Sequence, residues 1–503
     1  MALAISITTA GCDRLIGLVI DEEAILETDL AFAAKVLCSS LFVAGLERDA
    51  SLTHSAFANT AILTDIDIPT RSMKPANERL QQRVTISVDN NLKRVSLSDA
   101  GMTRSAGFYG DQGCIIHPEG SAEIFFEPVE VQSALPAEDS MPWPMGSLDA
   151  RASADSGVDF DQVEAAMDLA FANEKAYTAA FVAVYKGQII GERYGAGATR
   201  ETALVSWSMG KSLTATLIGV LMQQGEALSL DGPAPVPEWS QPGDPRGEIS
   251  ITHLLQMSSG LDFSKHTDPI WQWSEAAPDH LYVYRDAIDV FDFSVNRPLE
   301  HPPGTVGHYQ NSDPLTLGYI VRRTVEARGQ SYHAFPQTDL FDRIGVRKLI
   351  LETDAYGNFV STGFEYGRAI DWARLGMLYL NDGQWAGERI LPEGFVEFVS
   401  TPAPAWDEPR YGGQFWLNQG KVWPGLPSEA YVMAGGGGQF VVIVPHLDLV
   451  VVRMGHYQGF NSLAGSNHAN ESLEAAFPVL IDALPTQQTA QLRSASEDQP
   501  DQG

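Results

Sequence analysis

The sequence predicts a mixed α/β (α+β) fold in which one sheet is built from both ends of a domain and helix-rich inserts pack beside it. Three observations carry this. Ala180–Tyr185 and Ile189–Tyr194, joined by Lys-Gly-Gln, read as strand, turn and strand. Phe440–Pro445 and Leu449–Met454, joined by His-Leu-Asp, form a matching hairpin far downstream. Between the two hairpins the patterning is mostly helical, so the hairpins can share a sheet only if the chain returns to its starting point.

The elements follow in order. Ala31–Ser40 reads as a helix, and Arg83–Val88 and Ala122–Phe126 read as short strands. Residues 25–132 form an N-terminal region with no catalytic pattern of its own. Residues 133–157, rich in Pro, Ser, Ala and Asp, read as a linker. The main domain spans 158–485 and opens with helical periodicity over Phe160–Ala176. Residues 486–503, rich in Gln, Ser, Asp and Pro, read as a disordered tail.

At 503 residues the chain exceeds one typical core, which favours two domains. A net charge of −31 argues against a nucleic-acid partner, because phosphate binding needs clustered Lys and Arg. The acidity is read instead as a source of solubility. Cys12, Cys38 and Cys114 lack the paired short spacing of a zinc site. The run ending Ala10-Gly11-Cys12 resembles the end of a bacterial lipoprotein signal, yet it is short and lacks a basic leader. A truncated signal within residues 1–24 and a plain N-terminal helix both stay open. Cys38 and Cys114 can pair if the protein is exported. No uninterrupted apolar run reaches the roughly 18 residues that a spanning helix needs.

Of the nine lysines only Lys211 has a serine three residues before it, Ser208. That spacing puts both side chains on one face of a helix. A partly desolvated lysine can lose its proton near neutrality and activate the hydroxyl as a nucleophile. The apolar run from Ser212 to Met222 places the serine at a helix N-terminus, where the dipole favours negative charge. The competing reading is a surface helix that happens to carry both residues.

Two further features are compatible with catalysis. Tyr309-Gln310-Asn311 precedes Ser312-Asp313-Pro314, which caps a helix over Leu315–Ala327 and so holds the tyrosine firmly on its loop. Tyr356-Gly357-Asn358 has the same spacing but reads as an ordinary turn. Gly435–Gly438, directly before the last hairpin, lets a strand edge approach a ligand with its N–H groups available. Gly210-Lys211-Ser212 mimics the end of a phosphate loop, but Val205 stands where that loop needs glycine. There is no Gly-x-Ser-x-Gly elbow and no His-Glu-x-x-His pair, and His253 and His301 read as structural. Trp271, Trp273, Tyr282 and Tyr284 either wall a pocket or belong to a core.

Ser208-x-x-Lys211, Thr252–Leu261, Tyr309-x-Asn311 and the glycine-rich segment occur in the order found in the serine β-lactamase-related hydrolases, on the class C side. The sequence resembles that family over roughly 158–485. The resemblance implies an antiparallel sheet flanked by helices plus an all-helical subdomain, while the small N-terminal α+β region lies outside it. It implies Ser208 as the acylated nucleophile, Lys211 as proton acceptor and Tyr309 as proton relay to the leaving group. It implies Asn311, Gly435 and Gly437 beside the substrate, and the N–H groups of Ser208 and Gly436 as the oxyanion hole. The departure is Met433-Ala434-Gly435, where penicillin-recognising members carry Lys-Thr-Gly.

The expectation is therefore an esterase or small-amide hydrolase, with a D,D-peptidase or β-lactamase, or a non-catalytic penicillin-binding-like protein, as alternatives. No metal or organic cofactor is indicated. The expected partner is a small ester or amide, with membrane attachment only through a lipid on Cys12 and a cell-envelope location. Oligomeric state is not readable from the chain.

Overall fold

The computed structural model describes residues 22–52, 55, 66–67, 72–73, 84–263, 279–457 and 468–485. Cys12, Trp271, Trp273 and the 486–503 tail lie outside them. The chain divides into two compact units, each drawn from separate stretches.

One unit takes the chain up to Glu130, Leu228–Thr324 and Leu351–Thr362. Its first helix, Glu22–Phe42, is buried without interruption from Thr28 to Ser40, so it is a core element and not an amphipathic surface helix. It packs on a four-stranded antiparallel sheet of Thr85–Asp89, Arg94–Asp99, Met102–Phe108 and Cys114–Ile116, paired in chain order. Ala100 and Gly101, both at positive φ, make one of its tight turns. A disulfide joins Cys38 of the helix to Cys114 of the last strand. The expected strand at Ala122–Phe126 does not form. There Phe125 donates one backbone bond to Ala355 and packs its ring at a tilt against Tyr356, and no ladder extends from that contact.

The other unit takes Val131–Ala227, Val325–Ile350 and Gly363 onward. Its six-stranded antiparallel sheet runs Trp416–Leu417, Tyr431–Gly435, Gln439–Val444, Leu449–Gly455, Thr178–Tyr185, Gln188–Tyr194. The two sequence-predicted hairpins thus meet in one sheet, with Val450 opposite Val184. Lys186 and Gly187, both at positive φ, close the first hairpin.

Both faces of this sheet are buried, which explains the continuous apolar runs. Phe181, Ala183, Val442 and Val451 share a core with Val163 and Met167 of Phe160–Ala172 and Leu473 and Phe477 of His468–Asp482. The alternate residues meet Ala369–Leu380, where a Cβ on Gly376 would stand 2.7 Å from both Val441 and Val450. Within 133–157 the chain has little regular structure but is pinned, since Glu138 accepts from both Arg368 and Arg374 at 2.8 Å.

Candidate active site

Ser208 lies in a short 3-10 turn, Trp207–Met209, that runs into the helix Gly210–Gln223. Trp207 holds φ at +46°, a left-handed conformation that a bulky residue adopts only under constraint. The constraint is visible in its neighbours: its ring packs against Phe364 and Tyr457, and its carbonyl accepts from Ser206 Oγ. The turn leaves Ser208 half-buried while Ser206, Trp207, Met209 and Gly210 are buried around it. The helix is core and not surface, with Gly210–Leu221 buried throughout. That removes the accidental-surface reading of the motif.

Lys211 is 1% exposed, and its Nζ donates to Ser208 Oγ at 3.1 Å. Burial drives the lysine well below the ordinary ammonium range, and the nearby Glu365 carboxylate opposes that drop. The amine is thus biased toward its free-base form, in which the same contact can take up the hydroxyl proton.

Glu365 was not legible as a site residue. It sits on the short strand Glu365–Gly367, paired with Leu204–Val205, and its backbone carbonyl accepts from Ser206 N at 2.8 Å. Its buried carboxylate accepts from Ser206 Oγ. A Cβ on Gly210 would stand 1.7 Å from Glu365 Oε2, so the glycine of Ser-Met-Gly-Lys is required by this carboxylate. A lone glutamate between aromatic residues gives no sequence signal of such a place.

The glycine segment falls beside the same turn. Gly435 ends the strand Tyr431–Gly435, and a Cβ there would lie 2.1 Å from Ser206 O and 3.1 Å from Ser208 N. Gly436 faces the Tyr457 and Trp207 rings, and Gly437 adopts φ +80°. Met433 is fully buried and Ala434 half-buried, so no cation occupies this strand edge.

Tyr309 and Asn311 belong to the first unit. Tyr309 is half-buried on the loop before the helix Ser312–Ala327. Asn311 is wholly buried: its Nδ2 donates to the His280 carbonyl at 2.8 Å and its Oδ1 accepts from Thr362 Oγ1 at 2.6 Å. It anchors the loop. The Thr252–Leu261 motif supports the same loop, with Gln310 Nε2 donating to Ser259 Oγ and to Asp313 Oδ1. Ser259 Oγ in turn donates to Asp313 at 2.6 Å. Gly260, at φ +79°, accepts from Glu300 and His301. Tyr284 is core, its hydroxyl donating to the Thr362 carbonyl, whereas Tyr356 is exposed on the turn Asp354–Asn358. His253 closes a capping box with Ser250. Among the described residues no cluster of His, Cys, Asp or Glu could hold a metal ion.

This sheet with its Ser-Lys helix and glycine edge defines a β-lactamase-type fold, and the chain belongs to the β-lactamase family, whose model, "Beta-lactamase", matches residues 161–476. A curated relative, 6-aminohexanoate-dimer hydrolase from Paenarthrobacter ureafaciens, is 26% identical over 308 residues, covering 56% of this chain and 73% of its own. Among solved structures, "Putative 6-aminohexanoate-dimer hydrolase from Bacillus anthracis" superposes with a TM-score of 0.50 at 23% identity. It covers 62% of this chain and 82% of its own. The N-terminal helix and its sheet lie outside the family match.

Proposed function

We propose that the protein is a serine hydrolase that forms an acyl-enzyme on Ser208 and acts on esters or small amides. The observation that carries this is the buried Lys211 amine against a half-exposed Ser208 hydroxyl. Lys211 takes the Oγ proton as Oγ attacks the carbonyl carbon. The N–H groups of Ser208 and Gly436 hold the oxyanion, each worth about 3 kcal/mol of barrier. The tetrahedral species collapses as Tyr309 hands a proton to the departing oxygen or nitrogen. The proton held by Lys211 restores Tyr309. Water then gives a proton to the freed Lys211 amine as it attacks the acyl carbon. Lys211 passes that proton to Ser208 Oγ as the acyl–Oγ bond breaks and the acid leaves. The joint action of Ser208 and Tyr309 rests on the motif order shared with the family.

The substrate class follows from the strand edge. Met433 and Ala434 supply no positive charge for a carboxylate, which favours esters and amides with no carboxylate beside the scissile bond over β-lactams. The name of the Paenarthrobacter relative supports the 6-aminohexanoate dimer, a zwitterion whose carboxylate lies at the far end of an alkyl chain from its scissile amide, as the first amide to test. A location outside the cytoplasm is supported by the Cys38–Cys114 disulfide. No described helix is long and apolar enough to cross a membrane.

The test is intact-mass analysis of the protein exposed in parallel to p-nitrophenyl acetate, the 6-aminohexanoate dimer, nitrocefin and a D-Ala-D-Ala peptide. An acyl adduct on Ser208 with turnover of the ester or the dimer is expected. Absence of any adduct, or nitrocefin turned over faster than the ester, would sink the reading.

A further inference from the structure

We infer that the N-terminal helix Glu22–Phe42 and the strand Cys114–Ile116 form a brace that positions Tyr309, with Asp29 and Glu352 as its two grips. The inference rests on the reading of Tyr309 as proton donor to the leaving group. The whole chain of contacts lies within one unit.

The first grip is Asp29 on Arg285. Their side chains form an ion pair with no exposed surface on either, and the Arg285 guanidinium lies over the Phe32 ring at 5.6 Å. Arg285 ends the helix Asp279–Arg285, and His280 of that helix presents the carbonyl that accepts from Asn311 Nδ2. The His280 ring lies 5.9 Å from the Tyr309 ring.

The second grip is Glu352. Its buried carboxylate pairs with Lys35, and it accepts from Ser39 Oγ at 2.8 Å and from Cys114 N at 2.7 Å. Gly113, at φ +66°, leaves the room, since a Cβ there would stand 2.4 Å from Glu352 Cγ. Glu352 is the second residue of the stretch Leu351–Thr362, whose last residue donates to Asn311 Oδ1. The Tyr284 hydroxyl on the Thr362 carbonyl cross-links the two routes. The disulfide ties together the helix and strand that supply the donors to Glu352.

Both routes therefore end on the one side-chain amide that anchors the Tyr309 loop. Buried ion pairs return little net stability compared with apolar packing, and their best-attested use is to fix one arrangement among several. Here the arrangement fixed is that of the two segments holding Asn311.

The test compares p-nitrophenyl butyrate, whose phenolate leaves without a proton, with ethyl butyrate, whose leaving group needs one. The full chain is used as wild type, D29N, E352Q, and wild type with the disulfide reduced by a phosphine, each checked for folding by near-UV circular dichroism. In the folded variants kcat/KM for ethyl butyrate is expected to fall at least about tenfold further than for the aryl ester. D29E, which keeps the charge, is expected to recover part of the loss. In the folded variants an unchanged ratio of the two esters, whether both rates hold or both fall together, would overturn the brace. S208A separates the two levels. Hydrolysis surviving in S208A removes the serine reading, whereas S208A inactivity with an unchanged ester ratio in D29N removes only the brace.

Discussion

The Lys211 amine meets the Ser208 hydroxyl at 3.1 Å from a position almost wholly withdrawn from water. Desolvation is what separates this lysine from a surface ammonium, which would be protonated at neutral pH and unable to accept the serine proton.

The first prediction concerns pH. In the proposed mechanism Lys211 serves as base only when unprotonated, and burial lowers its pKa, so activity is expected above that lowered pKa and is lost as pH falls through it. The acidic limb of kcat/KM should lie well below the ordinary lysine range. Lys211→Met should reduce kcat/KM by about 10²–10⁴-fold while the protein stays folded. A limb in the ordinary lysine range would contradict the geometry.

Glu365 supplies the second prediction. Its carboxylate favours the protonated lysine, so Glu365→Gln should move the acidic limb to lower pH. Gly210→Ala should force that carboxylate aside, at a cost of about 1–3 kcal/mol in urea unfolding. A pH profile unmoved in Glu365→Gln would show that the carboxylate serves Ser206 alone.

The third prediction ranks two neighbouring glycines. A Cβ on Gly435 meets backbone oxygen at 2.1 Å, whereas one on Gly436 meets the Tyr457 ring at 3.0 Å. A ring can yield where a strand-to-turn contact cannot. Gly435→Ala should therefore lose more kcat and more thermal stability than Gly436→Ala, and steady-state rates with melting curves decide the order.

Asp313 gives a fourth, on stability. Burial raises its carboxyl from 3.8 to about 7, against the bonds from Ser259 and Gln310. Because the folded value is raised, this contribution is complete below about pH 4 and is lost as pH rises through about 7. Asp313→Asn keeps an acceptor without the titration, so its melting temperature should fall less than that of wild type between about pH 4 and 8. Parallel slopes for the two proteins would remove Asp313 from the account.

Much of the arrangement around Ser208 was legible because its signals are local. A serine and a lysine three apart share a helix face whatever surrounds them, and four glycines before a β-branched hairpin need little context. Ala122–Phe126 shows the limit of such reasoning: its residues suit a strand, yet no partner edge extends beyond Ala355. Asn311 shows another. The motif marks it as polar and near a site, but only its bonds to His280 and Thr362 reveal an anchor held under the loop.

The sequence by itself determined the shared sheet, the Ser208–Lys211 pair and the loop that carries Tyr309, because periodicity and short spacing act within a few residues. The tertiary structure alone decided the rest. It put Glu365 beneath Gly210, and it brought Asp29 and Lys35 to partners 256 and 317 residues away. A buried charge takes its meaning from whatever faces it across the core, and no local pattern along the chain records that neighbour.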